Sequence, residues 1–171
     1  WIDSMNEEYR KRTQTVQSRK REVNTLFSSI SRWKPAQQNA AFHQAHEKAF
    51  EHTDCLSCAR CCKETGPLFT NKDVDKLAHH LKISPGQLQD TYLRLDEDGD
   101  WVLKSTPCPF LMEDNRCSVY EARPRACRMY PHTDHASMSE VLDLTKKNAR
   151  ICPAVAHIVL NWLESPPNHL K

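Results

Sequence analysis

The sequence predicts a mainly α fold with short β-hairpins (α+β), and three observations carry that prediction. Apolar side chains recur at helical spacing over the first thirty residues. Helix-start signals follow one another at Thr70 and Ser84. The periodicity then changes around the polar turns "DEDGD" and "EDNR", which read as hairpins.

Taken in order, residues 3–33 place Met5, Tyr9, Val16, Val23, Leu26, Phe27, Ile30 and Trp33 on one stripe of a charged segment, which predicts a single long amphipathic helix. Pro35 separates it from "AQQNAAFHQAHEKAFEH", rich in alanine and other helix formers. Residues 1–52 are therefore expected to form a helical hairpin packed on a domain of residues 53–171. Thr70 with Asp73 three positions on, and Ser84-Pro85 with Gln87, predict two short capped helices in series. Asp98-Gly99 predicts a turn between strands ending near Leu95 and starting near Trp101. "CPFLMEDNRCSVY" reads as a second hairpin that brings Cys108 and Cys117 together, "PRACRMYP" as a helical turn, and "PAVAHIVLNWLES" as an apolar helix begun by Pro153.

A chain of 171 residues, 39% hydrophobic, suits one compact domain. A net charge of +2, from 24 basic and 22 acidic side chains, gives no reason to expect nucleic acid or an anionic membrane as partner. No stretch approaches the roughly 20 apolar residues that span a bilayer. The polar opening "WIDSMNEEYRKR" lacks the pattern of a signal peptide, so a cytoplasmic location is expected. With three glycines, a phosphate-cradling loop is not expected.

Half of the eight cysteines lie in "CLSCARCC", residues 55–62. Two overlapping C-x2-C knuckles, Cys55 with Cys58 and Cys58 with Cys61, aim sulfurs at a common ion. Neighbouring side chains diverge, so Cys61 and Cys62 are expected to serve different positions. The remaining donors are Cys108, Cys117, Cys127 and Cys152. Disulfides are disfavoured, because the chain is long for a stapled miniprotein and adjacent cysteines are awkward in a disulfide framework. Pro124 and Pro153 put Cys127 in the first turn of a helix and Cys152 at an N-cap, where backbone amides are expected to lower the thiol pKa. Arg60, Lys63, Arg116, Arg123, Arg125 and Arg128 are placed to offset the charge of about −2 on a four-thiolate centre. Zinc and an iron-sulfur cluster both satisfy this donor set: eight ligands divide into two zinc sites, whereas C-x2-C-x2-C with a distant Cys152-Pro153 follows a ferredoxin spacing.

These strings, "CLSCARCC", "CPFLMEDNRCSVYEARPRACRMYP" and the Cys-Pro at 152, resemble the CxxCxxCC cysteine-cluster family, a YkgJ-like group related to flagellin lysine N-methylase. The resemblance covers roughly residues 55–153 and rests on the eight cysteines, framed by Pro109-Phe110-Leu111, Tyr120, Arg123-Pro124, Arg128 and Tyr130-Pro131. It implies chelation of zinc or iron and carries no catalytic motif onto this chain. Glycine is common in the family where Ala59 stands, and isoleucine where Val119 stands; neither departure removes a ligand.

Other candidates have plainer readings. His132, His135 and His52 are near enough in sequence to complete a coordination sphere but read as loop histidines, and His43 and His46 as surface residues. "DEDGD" lacks the glycine position and final glutamate of a calcium loop. The basic residues between Arg10 and Arg21 read as a solvated helix face. The expected function is thus metal binding, in a structural or partner-binding module. The alternatives are an iron-sulfur redox protein or part of a methylase-like modifying enzyme, and metal storage or delivery.

Overall fold

The computed structural model describes residues 2–167, with side chains from residue 6 onward. In chain order the elements are α1 (Ile2–Ser18), α2 (Lys20–Ile30), α3 (Pro35–Phe50), α4 (Cys55–Cys58), α5 (Arg60–Glu64), β1 (Leu68–Phe69), α6 (Asn71–Leu81), α7 (Pro85–Tyr92), β2 (Leu93–Leu95), β3 (Trp101–Leu103), a 3-10 turn (Tyr120–Ala122), α8 (Arg125–Met129), α9 (Met138–Asn148) and α10 (Pro153–Glu164). The fold is mainly α with one small antiparallel sheet, as the sequence predicts.

The chain divides into two compact units, residues 1–58 with 131–171, and residues 59–130. In the first, α1, α2, α3, α4, α9 and α10 pack together. The predicted long helix is broken at Arg19, whose φ of −91° and ψ of 29° leave the helical region. The hydroxyls of Thr15 and Ser18 donate to the carbonyls of Lys11 and Thr15 just before the break, a back-bonding that bends helices. The predicted stripe is buried at Tyr9, Val16, Val23, Leu26, Phe27 and Ile30; the side chain of Met5 lies outside the described ones. Phe42 of α3 stacks edge-on against Trp162 of α10 at 4.7 Å, and Phe27 stands 6.5 Å from Phe42. Helix α10 buries Ala154, Val155, Ala156, Ile158 and Val159, a face wide enough to meet helices on several sides. Helix α9 went unpredicted.

The second unit is built on a three-stranded sheet of order β1-β3-β2, with Leu68 opposite Val102 and Leu93 opposite Leu103. The predicted turn at 96–100 has Gly99 at φ 83°, and Asp96 Oδ1 accepts the amides of Asp98 and Asp100. Both predicted caps form: Thr70 Oγ1 accepts the Asp73 amide at 3.2 Å, and Ser84 Oγ accepts the Gln87 amide at 3.2 Å. Val74, Leu77 and Leu88 from α6 and α7 meet Phe69, Leu93 and Leu103 from the sheet in one core, with Phe110 and Val119 beneath them. Cys108 and Cys117 pack against this core from its edge.

Candidate metal centre

Within residues 59–130, three segments bring thiols together. Ala59 precedes α5 in the left-handed region, φ 46° and ψ 18°, and this turn starts the helix that carries Cys61 and Cys62. Their sulfurs are 4.0 Å apart. The Cys62 carbonyl accepts the Cys108 amide at 2.8 Å, which ties the second segment to the first. Cys108 begins a tight loop in which Leu111 pairs with Cys117 through an isolated bridge, with Asn115 at φ 64° making the turn. The predicted hairpin is thus a loop closed by one bridge. Its short span is framed by the Met112 amide on the Arg116 carbonyl and the Ser118 amide on the Phe110 carbonyl.

The third segment is α8, where the Cys127 amide donates to the Pro124 carbonyl at 3.0 Å. Asp73 fixes where this helix starts. Its Oδ1 accepts the Arg125 amide at 2.9 Å, while Oδ2 accepts the Thr70 amide at 3.0 Å and the Thr70 hydroxyl at 2.7 Å. Burial pushes the Asp73 carboxyl up. These three bonds and the Arg128 charge outweigh it and hold the group below the usual carboxylate value.

The thiols of this unit act on one another. Burial pushes Cys127 up to about 12, with further increments from Cys62, Cys108 and Cys117. Burial also raises Cys108 and Cys117, and Cys62 adds to both. Cys62 moves the other way, to about 7: the Cys61 thiol bonds to its thiolate, and Arg123 and Lys63 lend positive charge. The Arg123 guanidinium acts on Cys62, Cys117 and Cys127. It is held 3.4 Å from the centre of the Tyr120 ring, with its Nε–H on the Tyr120 carbonyl at 2.9 Å.

In the other unit, Cys55 and Cys58 sit at the two ends of α4 and Cys152 is the N-cap of α10, followed by Pro153 as predicted. Cys152 and Cys58 are buried, Cys55 exposed. Burial pushes Cys152 up to about 12; the amides of Val155 and Ala154 oppose that rise, and Cys55 and Cys58 add to it. The expectation that helix starts lower the Cys127 and Cys152 pKa values is therefore corrected. Desolvation of the thiolate outweighs the Val155 and Ala154 amides at Cys152 and the Arg123 charge at Cys127. At neutral pH both thiols carry protons, which a metal must displace.

The candidate histidines His43, His46, His52, His132 and His135 lie in the first unit. His46 Nδ1 is 2.7 Å from the hydroxyl of buried Thr133, and His43 Nε2 is 2.9 Å from the His135 carbonyl, so α3 fastens the 133–135 segment. Both α3 histidines are half-buried, where the sequence suggested surface positions. His135 Nδ1 accepts the Ser137 amide at 3.2 Å. His132 has φ 69° and a pKa lowered by burial and then by His135.

All eight cysteines stand as thiols. Among the described residues, no three His, Cys, Asp or Glu side chains form a group able to hold a metal ion as they stand. What fits a metal is the donor chemistry: four sulfurs that share one electrostatic neighbourhood, with a guanidinium beside them, suit zinc or an iron-sulfur cluster. Asp73, Asp54 and Tyr9 organise the cysteine-bearing turns and were not singled out for that role by the sequence. Their signals were a capping box, a residue preceding a cysteine, and a place on an apolar stripe.

Comparison with known proteins gives the same direction. The uncharacterized protein MJ0661 of Methanocaldococcus jannaschii is 33% identical over 82 residues, which cover 46% of this chain and 44% of that protein. The chain thus spans less than half the length of this relative. No solved structure matches. The family CxxCxxCC, described as "Putative zinc- or iron-chelating domain", matches residues 54–153, all eight cysteines included. The chain belongs to the CxxCxxCC family.

Proposed function

We propose that the chain binds zinc or iron through its eight cysteine thiolates in two groups, and that the bound metal fixes a structural or partner-binding module. One group is Cys62, Cys108, Cys117 and Cys127, with Cys61 beside Cys62; the other is Cys55, Cys58 and Cys152. The observation that carries this reading is the segregation of the thiols. Cys127 feels Cys62, Cys108 and Cys117, whereas Cys152 feels Cys55 and Cys58. A closed four-thiolate shell, which Cys62, Cys108, Cys117 and Cys127 can supply, leaves no open position for substrate, and this favours a structural role for that group.

The test is elemental analysis with an X-ray absorption edge on protein prepared anaerobically. The reading expects zinc or iron at one to two centres per chain in a sulfur-dominated shell. Colourless protein containing zinc supports the structural module; brown protein with a broad visible band replaces it with an iron-sulfur redox role. Metal that leaves readily to a chelator while the fold persists points to storage or delivery, because a structural site is lost together with folding. Protein that stays metal-free after equilibration with either metal refutes the reading.

A further inference from the structure

Helix α4 has four residues, too few to hold itself together in water. Its local bonds converge on Asp54. The Asp54 carbonyl accepts the Cys58 amide at 3.1 Å, Oδ1 accepts the Leu56 amide at 2.9 Å, and Oδ2 accepts the Ser57 hydroxyl at 2.5 Å. Asp54 is itself exposed, so these contacts alone leave the turn adrift at the surface.

The anchor comes from α1, outside the residues matched by the family. Tyr9 is 1% exposed, and its hydroxyl accepts the Asp54 amide at 3.1 Å and donates to the His52 carbonyl at 3.5 Å. A buried tyrosine needs a partner for its hydroxyl; this one takes two, on either side of Thr53, directly before the first cysteine. The ring fills the helical core while the hydroxyl fixes the height and direction at which the chain enters Cys55–Cys58.

We propose that Tyr9 and Asp54 are positioning residues for metal binding, forming a brace that sets the Cys55–Cys58 turn so that its sulfurs meet Cys152. The inference rests on the reading of those three cysteines as one metal-binding group. Helix α1 is then a working part of the centre, because the amide that starts the cysteine turn hangs on its phenol.

The test titrates the reduced, metal-free full chain with zinc under anaerobic conditions. At each free-zinc level the thiols are alkylated with N-ethylmaleimide, and mass spectrometry reads each cysteine separately. In Tyr9→Phe, which keeps the ring, protection of Cys55, Cys58 and Cys152 should need about fivefold more free zinc, the size of one lost hydrogen bond. Protection of Cys62, Cys108, Cys117 and Cys127 should be unchanged. Asp54→Ala, at an exposed position, should shift the same three cysteines and decides the matter if Tyr9→Phe does not fold. Thr13→Val is the control for general stability: its buried hydroxyl, one turn along α1, donates to backbone carbonyls of that helix, Arg10 at 3.0 Å and Tyr9 at 3.4 Å, and leaves the Tyr9 phenol untouched. The proposal is overturned if neither brace variant shifts the three cysteines, or if Thr13→Val shifts them equally. If zinc protects no cysteine of the wild type, the same titration is run with ferrous iron, and protection by neither metal makes the parent reading fail and takes this one with it. Zinc protection of the wild type with no selective change in the variants sinks the brace alone.

Discussion

Replacing Asp73 removes a buried carboxylate that accepts two backbone amides and one hydroxyl, and the consequence can be sized from those contacts. Loss of the capping box at Thr70 costs about 1 kcal/mol. The Arg125 amide, which loses an ionised acceptor, adds roughly 2 kcal/mol. Asp73→Ala should therefore lower stability by about 3 kcal/mol; Asp73→Asn keeps one acceptor and should lose about 2 kcal/mol by the same reasoning. In urea, with a slope of about 2 kcal/mol/M, the alanine variant should unfold near 1.5 M earlier. Tryptophan fluorescence, to which Trp101 of the same unit contributes, follows the transition. The acid dependence follows from the lowered carboxyl pKa: Asp73 stabilises the fold fully above its unfolded value of about 3.9, and the contribution is lost as pH falls through the lower folded value. The gap between wild type and Asp73→Asn should thus hold from pH 7 down to about 4 and close below that. A midpoint difference under about 0.3 M at pH 7, against a slope of that size, or a gap already closing near pH 6, refutes the assignment.

Cys127→Ser and Cys58→Ser should each lose metal and melt earlier together, since ligation and folding are coupled; unchanged metal content and melting temperature remove that cysteine from the ligand set. Ala59→Gly should change stability by no more than about 0.5 kcal/mol, because relief of a left-handed alanine, about 1–2 kcal/mol, offsets the lost methyl burial and the extra chain entropy. Ala78→Gly, buried within α6, lacks that relief and should cost about 2 kcal/mol in the same denaturation assay. Thr133→Val deprives half-buried His46 of its partner and should cost about 1 kcal/mol, read as a fall in melting temperature; no fall would mean that water replaces the hydroxyl freely.

Where local chemistry decides the structure, the sequence was readable. The Thr70 and Ser84 caps, the turn at Gly99 and the start of α10 at Pro153 each depend on side chains within three or four positions of the backbone they satisfy. The two-residue strand β1 was not readable, because Leu68-Phe69 is extended only through its pairing with Val102 and Trp101. Helix α9 had a start signal in Ser137 ahead of Glu140, hidden by the polar run that follows. The cysteines announced a metal site through spacing alone, but how they group depends on contacts such as the Cys108 amide on the Cys62 carbonyl, 46 positions apart by number. The thiol pKa values went wrong for a related reason. A helix start is visible in sequence, whereas burial of Cys127 and Cys152 is a property of the folded chain.

The division of the cysteine motif between Cys58 and Ala59 has a consequence for biosynthesis. Residues 59–130 are contiguous, so every thiol of that unit emerges from the ribosome ahead of Cys152. Cys55 and Cys58 must wait for that late cysteine, and with it for α10, before the group proposed for them can form. If the thiols bind metal in the two groups proposed above, a nascent chain would complete the set in the middle unit while the other is still missing Cys152, loading would be sequential, and truncation after residue 130 would spare one set alone.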